Sequence, residues 1–465
     1  MWLDYLLSLI SLYVVVAIAA GAHVLLNKRN SRAAFGWLGL ILVFPIAGAV
    51  LYALFGVNRV QRKARRISLE ADSGSGLRPA TLKAADGADP CRPGYHVTHR
   101  EPAPGHQVGV FFNGEQAYPA MLQAIDEAKR EVLLSSYIFD NDDSGRQFIE
   151  RLAAARARGC EVCVLIDDVG IRYSFPTILR ELKRAELPYR RFMPLRLLPL
   201  SFSINLRTHR KLLIADRRLV FTGGMNIGER QLVDGPSPHR ASDLHFSFEG
   251  PLATDCVRLF AEDWRFSKGG NLPVWEARQP PAGAASCRLI ADGPDETLDS
   301  LMLVIMGAIA SARRRVWIMT PYFLPERQMM GCLQAAALTG VDVRVMIPAR
   351  NNWPLVQWAL QHNMWELLDA GVRVLKRPAP FAHSKCLVVD DAYSLVGSAN
   401  MDPRSLRLNF ELGVEVFDPG FNQQLSEHFS ETASNCEDYT VDRLRARSIP
   451  ARLRDGSAAL FSPYL

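Results

Sequence analysis

The chain repeats itself, and this duplication constrains its fold more than any other feature of the sequence. Ala124–Phe139 (A-I-D-E-A-K-R-E-V-L-L-S-S-Y-I-F) parallels Ala308–Phe323, and Arg158–Asp167 parallels Thr339–Pro348. In each copy an amphipathic helical segment precedes an apolar strand. Helix and strand that alternate in this way predict two α/β halves, each with a mostly parallel sheet, related by a pseudo-two-fold axis.

A further pair of repeated segments contains residues suited to catalysis. The pattern H-x-K-x-x-x-x-D occurs at His209–Asp216 and again at His383–Asp390, and G-x-x-N follows it at Gly223–Asn226 and Gly397–Asn400. Each H-x-K opens an apolar strand, where alternation places His and Lys on the same face. One such match would be weak evidence. Two matches in a duplicated chain indicate an active site.

The residue types in these motifs fit an attack on a phosphodiester, which needs a nucleophile, a proton donor and cationic or neutral groups around the phosphoryl oxygens. His209 and His383 can divide the first two tasks, because near neutral pH one imidazole can be neutral and the other protonated. The groups expected to bind the phosphate are Lys211, Lys385, Asn226 and Asn400. We therefore expect neither a metal nor another cofactor.

Two uncharged runs at the N-terminus predict a transmembrane helical hairpin over residues 1–57. Tyr5–Leu26 has 22 residues and Ala33–Val57 has 25, and a spanning helix needs about 20. A kink at Pro45, or a segment that dips into the bilayer, remains an alternative for the second run. More basic residues follow the second run than lie in the turn, which favours cytoplasmic catalytic domains.

The charge distribution argues against a nucleic-acid partner. The net charge is +6, but Lys28 to Arg66 alone contains eight basic residues and no acidic one, so the rest of the chain is slightly acidic. A broad basic surface is therefore not indicated. The eight cysteines are isolated in apolar surroundings, which predicts reduced thiols.

Composition and the repeat together predict the domain boundaries. A basic flank and a flexible linker rich in Gly, Pro, Ala and Ser cover residues 58–105, followed by a first α/β domain at 106–280, a second at 281–440 and a C-terminal tail at 441–465. Just before the first histidine, Arg190–Leu206 is apolar with interspersed arginine and proline. This segment suits either an interfacial lip for lipid or a buried loop.

The sequence resembles the phospholipase D superfamily and, within it, the bacterial cardiolipin synthases. The resemblance rests on the motifs above and on T-P-Y-F-L-P (Thr320–Pro325), G-S-A-N-M-D-P-R-S (Gly397–Ser405) and L-N-F-E-L (Leu408–Leu412), and it covers nearly the whole chain. It implies two phospholipase D-like domains. It also implies that His209 forms a phosphohistidine while His383 acts as general acid and then general base, although these roles could be reversed.

The resemblance implies further site residues. Each histidine of the family is held by a carboxylate beyond the motif, and Glu411 and Asp243 match that position. Asp216 and Asp390 complete the catalytic motif, although five residues past the lysine we expect them to brace the fold. The arginines that follow G-x-x-N, Arg230 and Arg404, could contact phosphate or stabilise their loop, and the structural role is favoured.

The function implied is that of a phosphatidyltransferase in the bacterial inner membrane, with phospholipids as partners. It would form cardiolipin and glycerol from two phosphatidylglycerol molecules through a phosphohistidine intermediate. The alternatives are a phospholipase D, or a phosphatidyltransferase with another donor or acceptor such as phosphatidylethanolamine. A phosphodiesterase or nuclease of the same superfamily is disfavoured, since the N-terminal runs favour lipid.

Overall fold

The computed structural model describes residues 2–28, 31–56, 89–194, 206–272, 279–293 and 299–462. The N-terminal helices are α1 (Trp2–Asn27), α2 (Ser31–Val43) and α3 (Pro45–Leu51), which continues in a π-helical turn (Tyr52–Gly56). They pack against one another, and the ring of His23 lies 2.9 Å from the hydroxyl of Tyr52.

The N-terminal segment differs from the expected transmembrane hairpin. The second apolar run is divided at Pro45, because proline lacks the N–H that would continue the helix of α2. Within the part of the chain that the structure describes, no helix is both long enough and apolar enough to cross a membrane.

The expected linker is ordered at its C-terminal end. Residues 57–88 lie outside the described residues, but Cys91–Thr98 forms α4 and the first strand already begins at Ala103. The buried guanidinium of Arg288 donates to the backbone oxygens of Cys91 (2.7 Å) and Arg100 (3.0 Å) and pairs with Glu415 (2.5 Å). Because a buried arginine needs such acceptors, it ties the start of the globular part to the second half.

Each half supplies strands that alternate with helices. The first half contains β1 (Ala103–Phe112), α5 (Asn113–Glu127), β2 (Glu131–Ser136), α6 (Asp143–Ala157), β3 (Glu161–Asp167), α7 (Leu179–Arg184), β4 (Tyr189–Phe192), β5 (Leu212–Ala215), β6 (Leu219–Gly223), β7 (Ala241–Ser242), β8 (Leu244–Glu249) and α8 (Leu252–Phe266). The second half contains β9 (Ala285–Asp292), α9 (Ser300–Ser311), β10 (Arg315–Met319), α10 (Arg327–Leu338), β11 (Asp342–Pro348), α11 (Pro354–Asp369), β12 (Arg373–Arg377), β13 (Phe381–Ala382), β14 (Cys386–Val389), β15 (Tyr393–Gly397), α12 (Pro403–Arg407), β16 (Glu411–Phe417) and α13 (Pro419–Ala433).

The C-terminal segment folds back onto the second half. It forms β17 (Glu437–Tyr439), α14 (Val441–Arg445) and α15 (Ile449–Ala459), and α15 packs against α11. The guanidinium of Arg454 lies 4.5 Å from the ring centre of Trp358 on α11.

Both halves share one mixed sheet with the strand order β17-β12-β11-β10-β14-β15-β16-β9-β1-β8-β6-β5-β2-β3-β4. The pairs β2–β3, β3–β4, β10–β11 and β11–β12 are parallel, whereas the strands between these two groups pair antiparallel. The prediction of mostly parallel sheets was therefore wrong. Helical crossovers enforce parallel pairing, but tight turns such as Asp216–Arg217, with φ of 52° and 56°, join β5 to β6 as a hairpin.

The sheet separates three apolar cores. One lies under the helices of the first half, one under those of the second, and the third spans the junction and includes Phe246, Phe410 and Phe421 from both halves. Because this third core buries apolar surface of both halves together, it holds their H-x-K segments in a fixed relation. All eight cysteines are free thiols, as predicted.

Candidate active site

The histidine of the first motif is held by a carboxylate of the second half. The segment before β5 pairs with the segment before β16 through a parallel bridge between Thr208 and Phe410, and the N–H of His209 donates to the oxygen of Phe410 (2.9 Å). This pairing brings Nδ1 of His209 within 3.1 Å of Oε2 of Glu411, the next residue. Nδ1 also lies 3.0 Å from the backbone oxygen of Ser398.

The histidine of the second motif is held in the reciprocal way. Strand β13 pairs in parallel with β7, and the N–H of His383 donates to the oxygen of Ser242 (2.8 Å). Nδ1 of His383 then lies 2.6 Å from Oδ2 of Asp243. Each predicted orienting carboxylate therefore contacts the histidine of the opposite half, and the two motifs form one site across the junction.

Both carboxylates are buried and ionised. Burial tends to raise the pKa of Glu411, but the charge of His209, the hydrogen bond to it and the charge of Lys211 hold that pKa below its usual value. For Asp243, Lys385 and His383 outweigh burial in the same way. Glu411 also accepts hydrogen bonds from the hydroxyls of Ser398 and Ser405, both at 2.5 Å. These hydrogen bonds hold the Glu411 carboxylate in place, and that carboxylate in turn orients the ring of His209.

The two lysines bring buried positive charge to the histidines. Nζ of Lys211 donates to the backbone oxygen of His209 (2.7 Å), and Nζ of Lys385 donates to that of His383 (2.5 Å). Burial holds the pKa of Lys211 well below its usual value, and it lowers that of Lys385 to about 8. An anion that enters the site would be attracted by both cations and would restore their pKa values.

Burial in this site favours the neutral form of both imidazoles. Burial lowers the pKa of each histidine to about 4; Lys211 and Lys385 act in the same direction, and Glu411 and Asp243 oppose them. The division into one neutral and one protonated histidine stays a prediction. A neutral ring that donates from Nδ1 to a carboxylate exposes an unprotonated Nε2, which suits a nucleophile.

The two asparagines of G-x-x-N are in different environments. Oδ1 of Asn226 accepts from the N–H of Ile138 (3.0 Å), which fixes the orientation of its amide. The backbone N–H of Asn400 donates to Ser405 (2.9 Å), and its Oδ1 is buried without a partner among the described residues. Phosphate binding by these amides stays a prediction.

Aromatic side chains form walls of the site. The ring of Tyr137 lies 5.2 Å from that of His209, and Nζ of Lys211 lies 5.5 Å from the Tyr137 ring centre. On the other side, Phe381 contacts His383 (6.0 Å) and Tyr322 contacts Phe381 (6.3 Å). The sequence analysis had not identified Tyr137 as part of the site.

Asp216 and Asp390 lie away from this site, at the opposite ends of β5 and β14. Asp216 accepts hydrogen bonds from the N–H groups of Lys129, Arg130 and Glu131 at 2.7 to 3.0 Å, and Asp390 binds the corresponding groups of Arg313, Arg314 and Arg315 at 2.8 to 3.0 Å. Their inclusion among the catalytic residues is not supported by this position, and the expectation that they brace the fold fits it. Each closes the turn that begins a strand.

We expect Asp216→Ala to destabilise the protein by about 1–3 kcal/mol, because three backbone donors lose their acceptor. Hydrogen bonds from Lys129, Glu131 and Arg130 overcome burial and lower the pKa of Asp216. The destabilisation should therefore be full above about pH 4 and decrease as pH falls through the lowered pKa. Urea unfolding at several pH values would test this, with the exposed Asp234→Ala as a control expected to change little. A destabilisation that persists unchanged at pH 2 would contradict it.

Sequence reasoning missed two positioning residues. Asp167, at the end of β3, accepts from the N–H of Thr208 (3.1 Å) and so holds the backbone before His209. Arg210, between His209 and Lys211, donates to the backbone oxygens of Glu411 (3.0 Å) and Asp292 (3.0 Å), and it pairs with the carboxylate of Asp263 (2.7 Å). A charged residue at the variable position of H-x-K was the available signal, but its partners are distant in sequence.

The candidate interfacial lip cannot be placed in this site. Residues 195–205, which make up most of Arg190–Leu206, lie outside the described residues. The described part of that segment includes Arg191, whose guanidinium pairs with the buried Asp168 (2.9 Å).

Comparison with known proteins gives matches that cover most of the chain. The family model described as "Cardiolipin synthase, PLD-like domain" matches residues 121–263 and 305–433, and a model described as "Phospholipase_D-nuclease N-terminal" matches residues 15–56. A cardiolipin synthase of Geobacillus thermodenitrificans is 30% identical over all of this chain and 95% of its own length. Cardiolipin synthase A of Pseudomonas putida is 32% identical over 99% of this chain and 98% of its own.

A solved structure supports the fold. The phosphatidylserine synthase of Haemophilus influenzae superposes with a TM-score of 0.63 over 81% of this chain and 100% of its own, at 15% identity. At that identity the likeness concerns the α/β architecture and not the activity.

Proposed function

The chain belongs to the phospholipase D-like cardiolipin synthase family, and on this premise we propose that it forms cardiolipin and glycerol from two molecules of phosphatidylglycerol. The observation that carries the proposal is the reciprocal arrangement of His209 with Glu411 and His383 with Asp243 beside two buried lysines. In such a site a histidine can act as the nucleophile that forms a covalent phosphoryl intermediate, and the second histidine can assist its breakdown.

In the first step Nε2 of His209 attacks the phosphorus of the donor lipid. The bond from phosphorus to the headgroup oxygen breaks, and His383 gives a proton to that oxygen, so that glycerol leaves and a phosphatidyl-His209 remains. Glu411 stabilises the positive charge that develops on the His209 ring. Lys211 and Lys385 stabilise the negative charge on the non-bridging oxygens.

In the second step a headgroup hydroxyl of another phosphatidylglycerol attacks the same phosphorus. His383, now neutral, takes the proton of this hydroxyl, and the bond from phosphorus to Nε2 breaks. Cardiolipin leaves, His209 becomes neutral and His383 is protonated again. The same two histidines thus serve both directions of proton transfer, as microscopic reversibility requires.

The low pKa of both histidines links catalysis to substrate charge. Burial lowers the pKa of both rings to about 4, and the positive charge of the lysines acts in the same direction. A bound phosphodiester anion would oppose that charge and favour uptake of one proton, which the general acid needs. We infer that the acid is charged only in the substrate complex.

Exposed aromatic side chains support access from a lipid surface. Tyr173, 47% exposed, lies 6.3 Å from Tyr137, and Phe175 beyond it is 98% exposed. In the second half, Trp353 is 52% exposed and follows Asn352, which accepts a hydrogen bond from Tyr322 (2.9 Å). Aromatic residues of this kind favour the membrane interface. They fit an enzyme of the bacterial inner membrane that meets lipid through these exposed aromatic residues.

Incubation of the detergent-solubilised enzyme with phosphatidylglycerol alone tests the proposal directly. We expect cardiolipin and free glycerol in equal amounts. Activity should not fall in a chelator, because Lys211 and Lys385 provide the charge stabilisation that a bound metal ion provides in other phosphoryl-transfer enzymes. Ethanolamine released only after phosphatidylethanolamine is added would instead identify another donor. Phosphatidic acid as the main product would indicate a phospholipase D, and cleavage of DNA or RNA without lipid turnover would indicate a nuclease.

A further inference from the structure

The two arginines that follow the G-x-x-N motifs are in different environments. Nε of Arg230 pairs with Oδ2 of Asp140 at 2.9 Å, as expected for a structural role. Arg404 occupies the corresponding position in the second half and is partly buried. Among the described residues, its guanidinium makes neither a hydrogen bond nor an ion pair.

The difference accompanies the loss of the carboxylate that pairs with Arg230. The N–H of Asp140 donates to the oxygen of Ile227 (2.9 Å), and that of Leu324 donates to the oxygen of Met401 (2.8 Å), so Asp140 and Leu324 hold equivalent positions. Leu324 is buried and apolar. In the second half the carboxylate nearest in sequence is Asp402, the buried N-cap of α12, which lies within electrostatic range of Arg404 but forms no ion pair with it among the described residues. The N–H groups of the Arg404 guanidinium are therefore available to an anionic ligand.

Arg404 is connected to the reacting groups through the helix that carries it. It belongs to the short helix α12, in which the neighbouring Ser405 binds the carboxylate of Glu411 that orients His209. Burial raises the pKa of Tyr137 and Tyr322, and the positive charge of Arg404 opposes this increase in both phenols. Those two tyrosines line opposite sides of the site, Tyr137 beside His209 and Tyr322 beside Phe381.

We propose that Arg404 binds the phosphate of the second lipid, the acceptor whose hydroxyl resolves the phosphatidyl-enzyme. This deepens the proposed function and rests on it. Lys211 and Lys385 are assigned to the reacting phosphate, whereas the acceptor brings a second phosphodiester anion whose phosphate is separated from its terminal hydroxyl by the three glycerol carbons. The guanidinium of Arg404 can bind such an anion through two parallel hydrogen bonds.

The proposal predicts that Arg404 distinguishes an anionic acceptor from a neutral one. Phosphatidylglycerol and isotope-labelled glycerol are offered together in detergent micelles, and cardiolipin and labelled phosphatidylglycerol are quantified. For Arg404→Gln we expect the ratio of cardiolipin to labelled phosphatidylglycerol to fall about tenfold or more, because only the lipid acceptor loses a charge-assisted contact. Arg404→Lys should recover part of the ratio, since it keeps the charge.

Arg230→Gln is the matched control, because it removes the equivalent arginine of the first half. Loss of its pair with Asp140 should lower the melting temperature and leave the product ratio unchanged. An unchanged ratio for Arg404→Gln, or an equal fall of both products, would overturn the proposal, since Arg404 would then act on the donor or on helix α12. If the unmodified enzyme makes neither product from phosphatidylglycerol, the proposed function itself fails.

Discussion

Replacement of either His209 or His383 by alanine is expected to lower the rate of phosphatidyl transfer by about 10³-fold or more. Each ring is fixed through Nδ1 to a different buried carboxylate, so neither can take over the position of the other. Initial rates of cardiolipin formation at saturating phosphatidylglycerol would measure the loss. With a donor lipid whose p-nitrophenol headgroup departs without a proton, an alkaline quench during turnover should trap a phosphatidyl-enzyme in His383→Ala and none in His209→Ala, because the bond from phosphorus to histidine nitrogen survives alkali.

The control for this experiment is His239→Ala, because His239 is exposed on a loop. We expect that variant to keep its activity, and circular dichroism should show that all three variants fold. Retention of more than about a tenth of the rate by either catalytic variant would exclude a mechanism with two essential histidines. An intermediate trapped in His209→Ala would reverse the assigned roles.

The second large effect concerns the reciprocal carboxylates. We expect Glu411→Gln and Asp243→Asn each to lower kcat by about 10²–10⁴-fold, because the amide no longer stabilises a positively charged imidazole or selects its tautomer. The carboxylate of Glu411 is fully buried and accepts from three side chains besides His209, so the substitution also tests how far that network tolerates an amide donor.

A donor lipid with a p-nitrophenol headgroup can distinguish the function of the His209–Glu411 pair from that of the His383–Asp243 pair. This leaving group is weakly basic and departs without a proton, so it should restore much of the first step lost in His383→Ala and little of that lost in His209→Ala. The reciprocal contacts predict that Asp243→Asn behaves like His383→Ala, and Glu411→Gln like His209→Ala. If each carboxylate variant instead matches the histidine of its own half, the pairing at 2.6 and 3.1 Å is not the functional one.

Local sequence determined the elements and the chemistry. The alternation of helix and strand identified both α/β halves, and the two H-x-K motifs identified the residues that the structure gathers into one buried site. Periodicity and motif spacing depend on neighbours along the chain, so they can be recognised without a structure. The structural role of Asp216 could also be predicted from the sequence. Its hydrogen-bond partners belong to the same half and follow from the pairing of strands within that half.

Contacts distant in sequence were decided only by the tertiary structure. The duplicated motifs look alike, so nothing in them indicates that His209 would be held by Glu411, 202 positions away, and His383 by Asp243, 140 positions away. The antiparallel centre of the sheet likewise depends on how strands from both halves pair.

The difference between Arg230 and Arg404 has the same origin. Whether an arginine forms an ion pair depends in part on which residue stands at the equivalent strand end, Asp140 in one half and Leu324 in the other. Sequence alone determined which groups could react. Packing of the two halves around a shared core determined which of them meet, because burial and hydrogen bonding depend on distances in space that the order of residues does not specify.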